Sequence, residues 1–220
     1  MQHVLDFLRD VAANNNREWF AAHRAEYEAS EITYRTLAEQ LLDGISTFDD
    51  SVRGLTYKDC IYRIYRDTRF STDKSPYKTW KGIYIVHRGK KSGYAGYYLH
   101  IEPEASMLYA GLHLPHPTVL RSVREEIIDN GDALMKAVHA AKGFSLCRDN
   151  ALKRNPKGFP PGHKYDELLR LRDFGIMKPL SDEQMTSSEL LLTALESFRS
   201  AQPLVEQLNR AVEYAYEEMM

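Results

Sequence analysis

Ile83-Tyr-Ile-Val-His-Arg88-Gly-Lys-Lys-Ser-Gly93-Tyr-Ala-Gly-Tyr-Tyr-Leu-His-Ile-Glu102 is the stretch whose reading decides the fold. Two runs with a period of two flank a polar spacer bounded by Gly89 and Gly93, the pattern of two strands joined as a hairpin. In the second run Ala95, Tyr97, Leu99 and Ile101 alternate with Tyr94, Gly96, Tyr98, His100 and Glu102, so one face is apolar and the other polar and aromatic. Upstream, Cys60 to Arg66 alternates in the same way and is expected to be a strand. Downstream, Ser106 to Leu112 and Gly175 to Pro179 are further expected strands. The middle of the chain therefore reads as a mostly antiparallel sheet.

Helical patterns surround it. Val4 to Ala12 reads as a first helix. Asn15 followed by Glu18 has the form of a capping box, so a second helix is expected from near Asn16 to about Ser46, with Trp19, Phe20, His23, Tyr27, Tyr34, Leu37, Leu41 and Leu42 as its apolar stripe. Pro117–Asp129 and Gly131–Ala141 read as two short helices. Three prolines and two glycines make Asn155–His163 a loop. Tyr165–Asp173 is expected to be helical, and Ser181 opens a helical C-terminal third that Pro203 should interrupt or kink. The expectation is one α+β domain over 1–220, a central mostly antiparallel sheet flanked by N-terminal and C-terminal helices. It is helical over 1–48, sheet-rich over 57–114, and helical and loop-rich over 115–220.

With 220 residues, 43% of them hydrophobic, the chain can bury a substantial core without staples. Cys60 and Cys147 are too few for a disulfide framework and point to a reducing compartment. No cationic, apolar leader opens the chain, and no run approaches the roughly 18 apolar residues of a membrane span, so a cytoplasmic protein without a membrane partner is expected. Formal net charge is −2, yet Tyr57–Lys91 holds ten Lys/Arg against three acids. Such a local excess attracts anions whatever the total.

Within that segment Arg63, Arg66 and Arg69 recur every third residue, followed by Lys74 and Lys78. Arginine forks match carboxylate or phosphate oxygens in pairs. With Tyr65, Tyr98 and His100 these cations make the candidate site, for a phosphate- or carboxylate-bearing small molecule. Arg66, Arg69 and Lys78 are expected to bring their heads into one pocket with Tyr98 or His100 on its wall. His100 is the candidate catalytic residue, because imidazole exchanges protons near neutrality. Internal pairing of Arg66 with Asp67, or Arg69 with Asp73, is the structural alternative for the cations. No glycine-rich phosphate loop, zinc helix or nucleophile elbow is present, so the motifs name no cofactor and no reaction class. His113-Leu-Pro-His116 lacks a third ligand at a recognised spacing, and no metal is expected. Two rival readings use the same features differently. A nucleic-acid-binding module would stack bases on the tyrosines, and a protein-interaction scaffold would expose Leu190, Leu191, Leu195, Phe198 and Leu204.

Three ordered blocks also carry a resemblance. Asn15-Asn-Arg-Glu-Trp-Phe20 with His23-Arg24, Arg63-Ile-Tyr-Arg-Asp-Thr-Arg-Phe-Ser71 with Asp73-Lys74 and Pro76-Tyr-Lys78, and Gly96-Tyr-Tyr-Leu-His-Ile101 resemble the microbial family known as domain of unknown function 2461. Pro156-Lys-Gly-Phe159 fits it as well. The resemblance implies a single-domain, mostly bacterial, intracellular protein and brings no activity, substrate or catalytic residue with it.

Overall fold

A computed structural model describes residues 1–219. The chain opens with α1 (Gln2–Ala13), whose buried Val4, Leu5, Leu8 and Val11 form a stripe at helical spacing. The expected long second helix is two helices, α2 (Arg17–Ala22) and α3 (Arg24–Ser46), which part at His23. The cap is Asn16 rather than Asn15: its side-chain oxygen accepts from the Trp19 amide at 2.8 Å. Asn15 instead exchanges two hydrogen bonds with the backbone of Tyr77, at 2.9 and 3.1 Å.

The stretch expected as a first strand is not part of the sheet. Tyr57–Cys60 forms the short helix α4, closed by a capping box between Thr56 and Asp59. Ile61–Lys78 is irregular, with isolated bridges from Ile61 to Ile83 and from Tyr65 to Tyr77. Its alternation serves a different packing. Ile64 and Tyr77 turn into a small second core with Phe7, Val11 and Phe20, where Phe20 and Tyr77 stack at 3.9 Å.

The sheet itself follows: β1 (Lys81–Val86), β2 (Gly96–Ile101) and β3 (Met107–Leu112) form a meander. Next comes α5 (Pro117–Ala140), which has non-helical angles at Asn130, where two separate helices were expected. The two-residue strand β4 (Ser145–Leu146), the one-turn helix α6 (Asp166–Leu169) and β5 (Phe174–Pro179) complete the sheet in the order β1-β2-β3-β5-β4, antiparallel throughout. The helix expected over Tyr165–Asp173 is thus confined to one turn. Last come α7 (Asp182–Thr186) and α8 (Leu190–Glu217), which continues through Pro203.

Ile83, Ile85, Tyr97, Leu99, Leu108, Ala110 and Ile176 point to one side and join the main core with α3, α5 and α8. Leu190, Phe198 and Leu204 lie in this core, while Leu191 and Leu195 pack against it. The side chains between them, on the other face of the same strands, build the candidate site.

Candidate functional site

The register places Tyr84, Tyr98, Tyr109 and Met177 in one row across β1, β2, β3 and β5, on the face turned away from the helical core. Above this row lies a cavity of about 560 Å³, within the range typical of small-ligand sites. Tyr62 and Trp80 wall it on the β1 side, whereas His113, Asn150 and Asp173 wall it on the β5 side. Glycines make the opening possible. A Cβ on Gly82 would lie 2.6 Å from the Tyr98 hydroxyl, and one on Gly175 would lie 2.0 Å from that of Tyr109. Tyr98 therefore lies over β1 and Tyr109 over β5, which splays two cross-strand neighbours apart. The Tyr109 hydroxyl is held by the Leu112 carbonyl at 2.7 Å, and that of Tyr84 by the Tyr94 carbonyl at 2.9 Å. Burial first, then nearby ionisable groups, push all three phenols above their ordinary value.

Along β2 three polar side chains form a line on the cavity face. Tyr98 Oη stands 2.8 Å from His100 Nδ1, and His100 Nε2 stands 2.9 Å from Glu102 Oε2. Strand geometry explains the contact, since residues two apart share a face. Glu102 is fixed at the strand end. Its amide donates to Ser106 Oγ at 3.1 Å, and that hydroxyl donates back to the Glu102 carbonyl at 2.8 Å. A carboxylate only accepts, so Nε2 carries a hydrogen; when the ring holds that hydrogen alone, Nδ1 accepts from the Tyr98 hydroxyl. The Trp80 ring lies 5.3 Å from His100.

The basic segment takes a different place from the one expected. Arg66 pairs with Asp73, and Arg69 pairs with Asp67 in a fork whose longer contact is 3.0 Å. Lys74 Nζ donates to the Thr68 carbonyl at 2.9 Å. Arg63 is exposed, and Tyr65 packs beside Phe20 and Tyr77. None of these five lines the cavity. The loop satisfies its own cations because Asp67 and Asp73 lie within it, which removes the need for a shared anion. The partners are exchanged relative to the internal alternative considered from sequence.

Lys78 comes nearer, packed against two of the wall residues without lining the cavity itself. Its Nζ stands 4.7 Å from the centre of the Trp80 ring and 5.5 Å from that of Tyr62, two of the cavity's walls. It donates to the Arg63 carbonyl at 3.0 Å and has no carboxylate partner among the described residues. Burial, then the like charge of Arg63, lower its pKa. Of the expected set the structure therefore gathers Tyr98, His100 and, against the wall, Lys78.

On the β5 side Asp173 accepts from the Leu114 amide and from Asn150 Nδ2, the latter at 2.9 Å, and lies 3.9 Å from His113 Nδ1. Cys147 also faces the cavity, and its thiol is pushed up by burial and by Asp149 and Asp173, the opposite of an activated thiolate. No three metal-binding side chains cluster among the described residues. No described helix is long and apolar enough to cross a membrane.

Fold and site define an α+β protein with an aromatic cavity on the face of an antiparallel sheet turned away from the helical core. The family model described as conserved hypothetical protein (DUF2461) matches residues 3–206, and the chain belongs to that family. No match was found among curated proteins or solved structures.

Proposed function

We propose that this chain is a cytoplasmic, bacterial small-molecule-binding protein whose ligand lays a flat ring in the tyrosine-lined cavity and turns a carboxylate or phosphate towards Lys78. The cavity carries the reading: Tyr62, Trp80, Tyr84, Tyr98 and Tyr109 line about 560 Å³ of it, and aromatic walls favour flat, polarisable ligands. Lys78 supports the charge of the ligand, because a half-buried cation beside Arg63 and without a carboxylate gains most from an arriving anion. The thiols of Cys60 and Cys147 are free, in keeping with a reducing compartment.

Quenching of Trp80 fluorescence in a Trp19→Phe background, with cinnamate and cinnamamide as probes, tests this. Cinnamate should bind about tenfold more tightly than the amide, equivalent to about 1.4 kcal/mol, and Lys78→Met should erase the difference while Arg66→Ala leaves it intact. Absence of binding by either probe, or equal affinities, would remove the reading. The nucleic-acid alternative retains one feature, Phe70, which is 97% exposed beside Arg69. Asp67 and Asp73 neutralise the nearest arginines, so the small-ligand reading is preferred. Leu190, Phe198 and Leu204 are buried, which weighs against the scaffold reading.

A further inference from the structure

We infer that the cavity is catalytic, with Tyr98 as the group that moves a proton on the ligand and His100 and Glu102 as positioning residues. The inference rests on the small-ligand reading above. It follows from which atoms are already engaged. Both ring nitrogens of His100 are taken, Nδ1 by Tyr98 at 2.8 Å and Nε2 by Glu102 at 2.9 Å, so the imidazole has no nitrogen left for a ligand. Tyr98 lines the cavity and gives its one hydrogen to His100, which leaves its oxygen with a lone pair for an incoming proton. The order of hydroxyl, imidazole and carboxylate is that of a relay in which the ring takes the hydroxyl's proton and the carboxylate stabilises the resulting cation.

The reaction class that needs no co-reactant is tautomerisation. The Tyr98 oxygen takes a proton from the carbon beside a carbonyl while its own proton passes to His100 Nδ1. The C–H electron pair becomes the C=C bond of an enolate, and the imidazolium pairs with Glu102. The imidazolium then returns its proton to the Tyr98 oxygen as Tyr98 hands one to the enolate oxygen. Substrate atoms are unchanged in number, and the relay returns to its starting state. A flat ring, a neighbouring acidic C–H and an anionic end define the substrate class.

Phenylpyruvate has all three and is the probe: its keto–enol interconversion is followed by ultraviolet absorbance with the intact chain. The wild type should accelerate it over buffer. Tyr98→Phe should lower kcat by about 100-fold or more, in the range expected for a lost proton-transfer group, and Lys78→Met should raise KM with little change in kcat. Glu102→Gln should lower kcat by about tenfold or more and move the His100 hydrogen to Nδ1, read as an exchange of the two imidazole nitrogen shifts by NMR. The exchange reports that Glu102 sets the ring's tautomer, and its coincidence with the fall in kcat is what a positioning role requires. Cinnamate, which cannot tautomerise in this way, separates the two claims. If cinnamate binds but phenylpyruvate is not accelerated, or if Tyr98→Phe retains the wild-type rate, the catalytic inference fails alone; if cinnamate does not bind, both readings fail.

Discussion

A methyl group on Gly175 would sit 2.0 Å from the Tyr109 hydroxyl, and one on Gly82 would sit 2.6 Å from that of Tyr98. Neither fits unless a ring swings off its glycine and into the cavity. Gly175→Ala should therefore cost about 1–3 kcal/mol by overcrowding, read from a urea midpoint, and weaken cinnamate by about tenfold or more. Gly82→Ala should act in the same direction through Tyr98. Retention of full affinity in both variants would show that the splayed tyrosines do not shape the site. The same residues show what a single sequence reveals. Tyr98 and His100 were legible because alternation along one strand fixes their common face. Their contact with Glu102 was legible in spacing but not in consequence, since Glu102 read as one more polar residue of that face. Tyr109 and Asp173 were not recognised as parts of the site, because their place depends on β5 lying beside β3 in the sheet. Nothing local in the sequence states that order.

The loop between Arg66 and Pro76 shows why charge pattern alone misled. Its three-residue arginine spacing suggested convergence, yet Arg66 and Arg69 each find an aspartate within the loop, and the Arg66 amide donates to the Pro76 carbonyl at 2.9 Å to close its base. Asp67 is held down to about 2, first by the Arg69 side chain, and Asp73 is held well below the usual carboxylate range, first by the Ser75 hydroxyl. Both folded values lie below the ordinary 3.8. Between the folded and ordinary values the opened loop binds more protons than the closed one. The clamp is therefore at full strength above about pH 4 and is lost as pH falls through the folded values. Amide exchange should show it. Protection of the Arg69 and Ser75 amides, which donate to Asp67 and Asp73, should fall between about pH 4 and pH 2 ahead of the β2 amides. Asp73→Asn should loosen the Ser75 amide already at neutral pH. Protection that follows the β2 amides throughout would show that other contacts hold the loop. Cys60–Arg66 likewise misled as a strand, because its period of two arises from Ile64 entering the small aromatic core while Arg63 and Tyr65 stay outside.

At the scale of the whole molecule, the helical ends were legible from their apolar stripes, and the manner in which the last helix closes the structure was not. The family model ends at residue 206, yet α8 runs to Glu217. Beyond 206 it buries Leu208, Ala211, Val212 and Ala215 in the main core. Four hydrogen bonds tie the same segment to distant parts of the chain. Asn209 holds the backbone of Ala95 at both amide and carbonyl, at 2.7 and 3.1 Å. The Ser122 hydroxyl donates to the Ala211 carbonyl at 2.7 Å, and the Tyr216 hydroxyl donates to the Ser92 carbonyl at 2.7 Å. Ala95 leads directly into β2, so these contacts set the strand that carries Tyr98, His100 and Glu102. Burial of the two larger and two smaller apolar side chains stabilises the fold by roughly 5 kcal/mol, comparable with the 5–15 kcal/mol that separates folded from unfolded domains. Removal also leaves their core partners facing water. A chain cut after Glu206 should therefore lose its cooperative thermal transition. The double substitution Asn209→Ala with Tyr216→Phe should keep the fold, lower the melting temperature by several degrees, and increase amide exchange at Ala95 before that of β3. Calorimetry and hydrogen exchange read the two outcomes separately. If the chain cut after Glu206 melts cooperatively near the full-length temperature, the end of α8 is an appendage, and the position of β2 is set by its neighbouring strands alone.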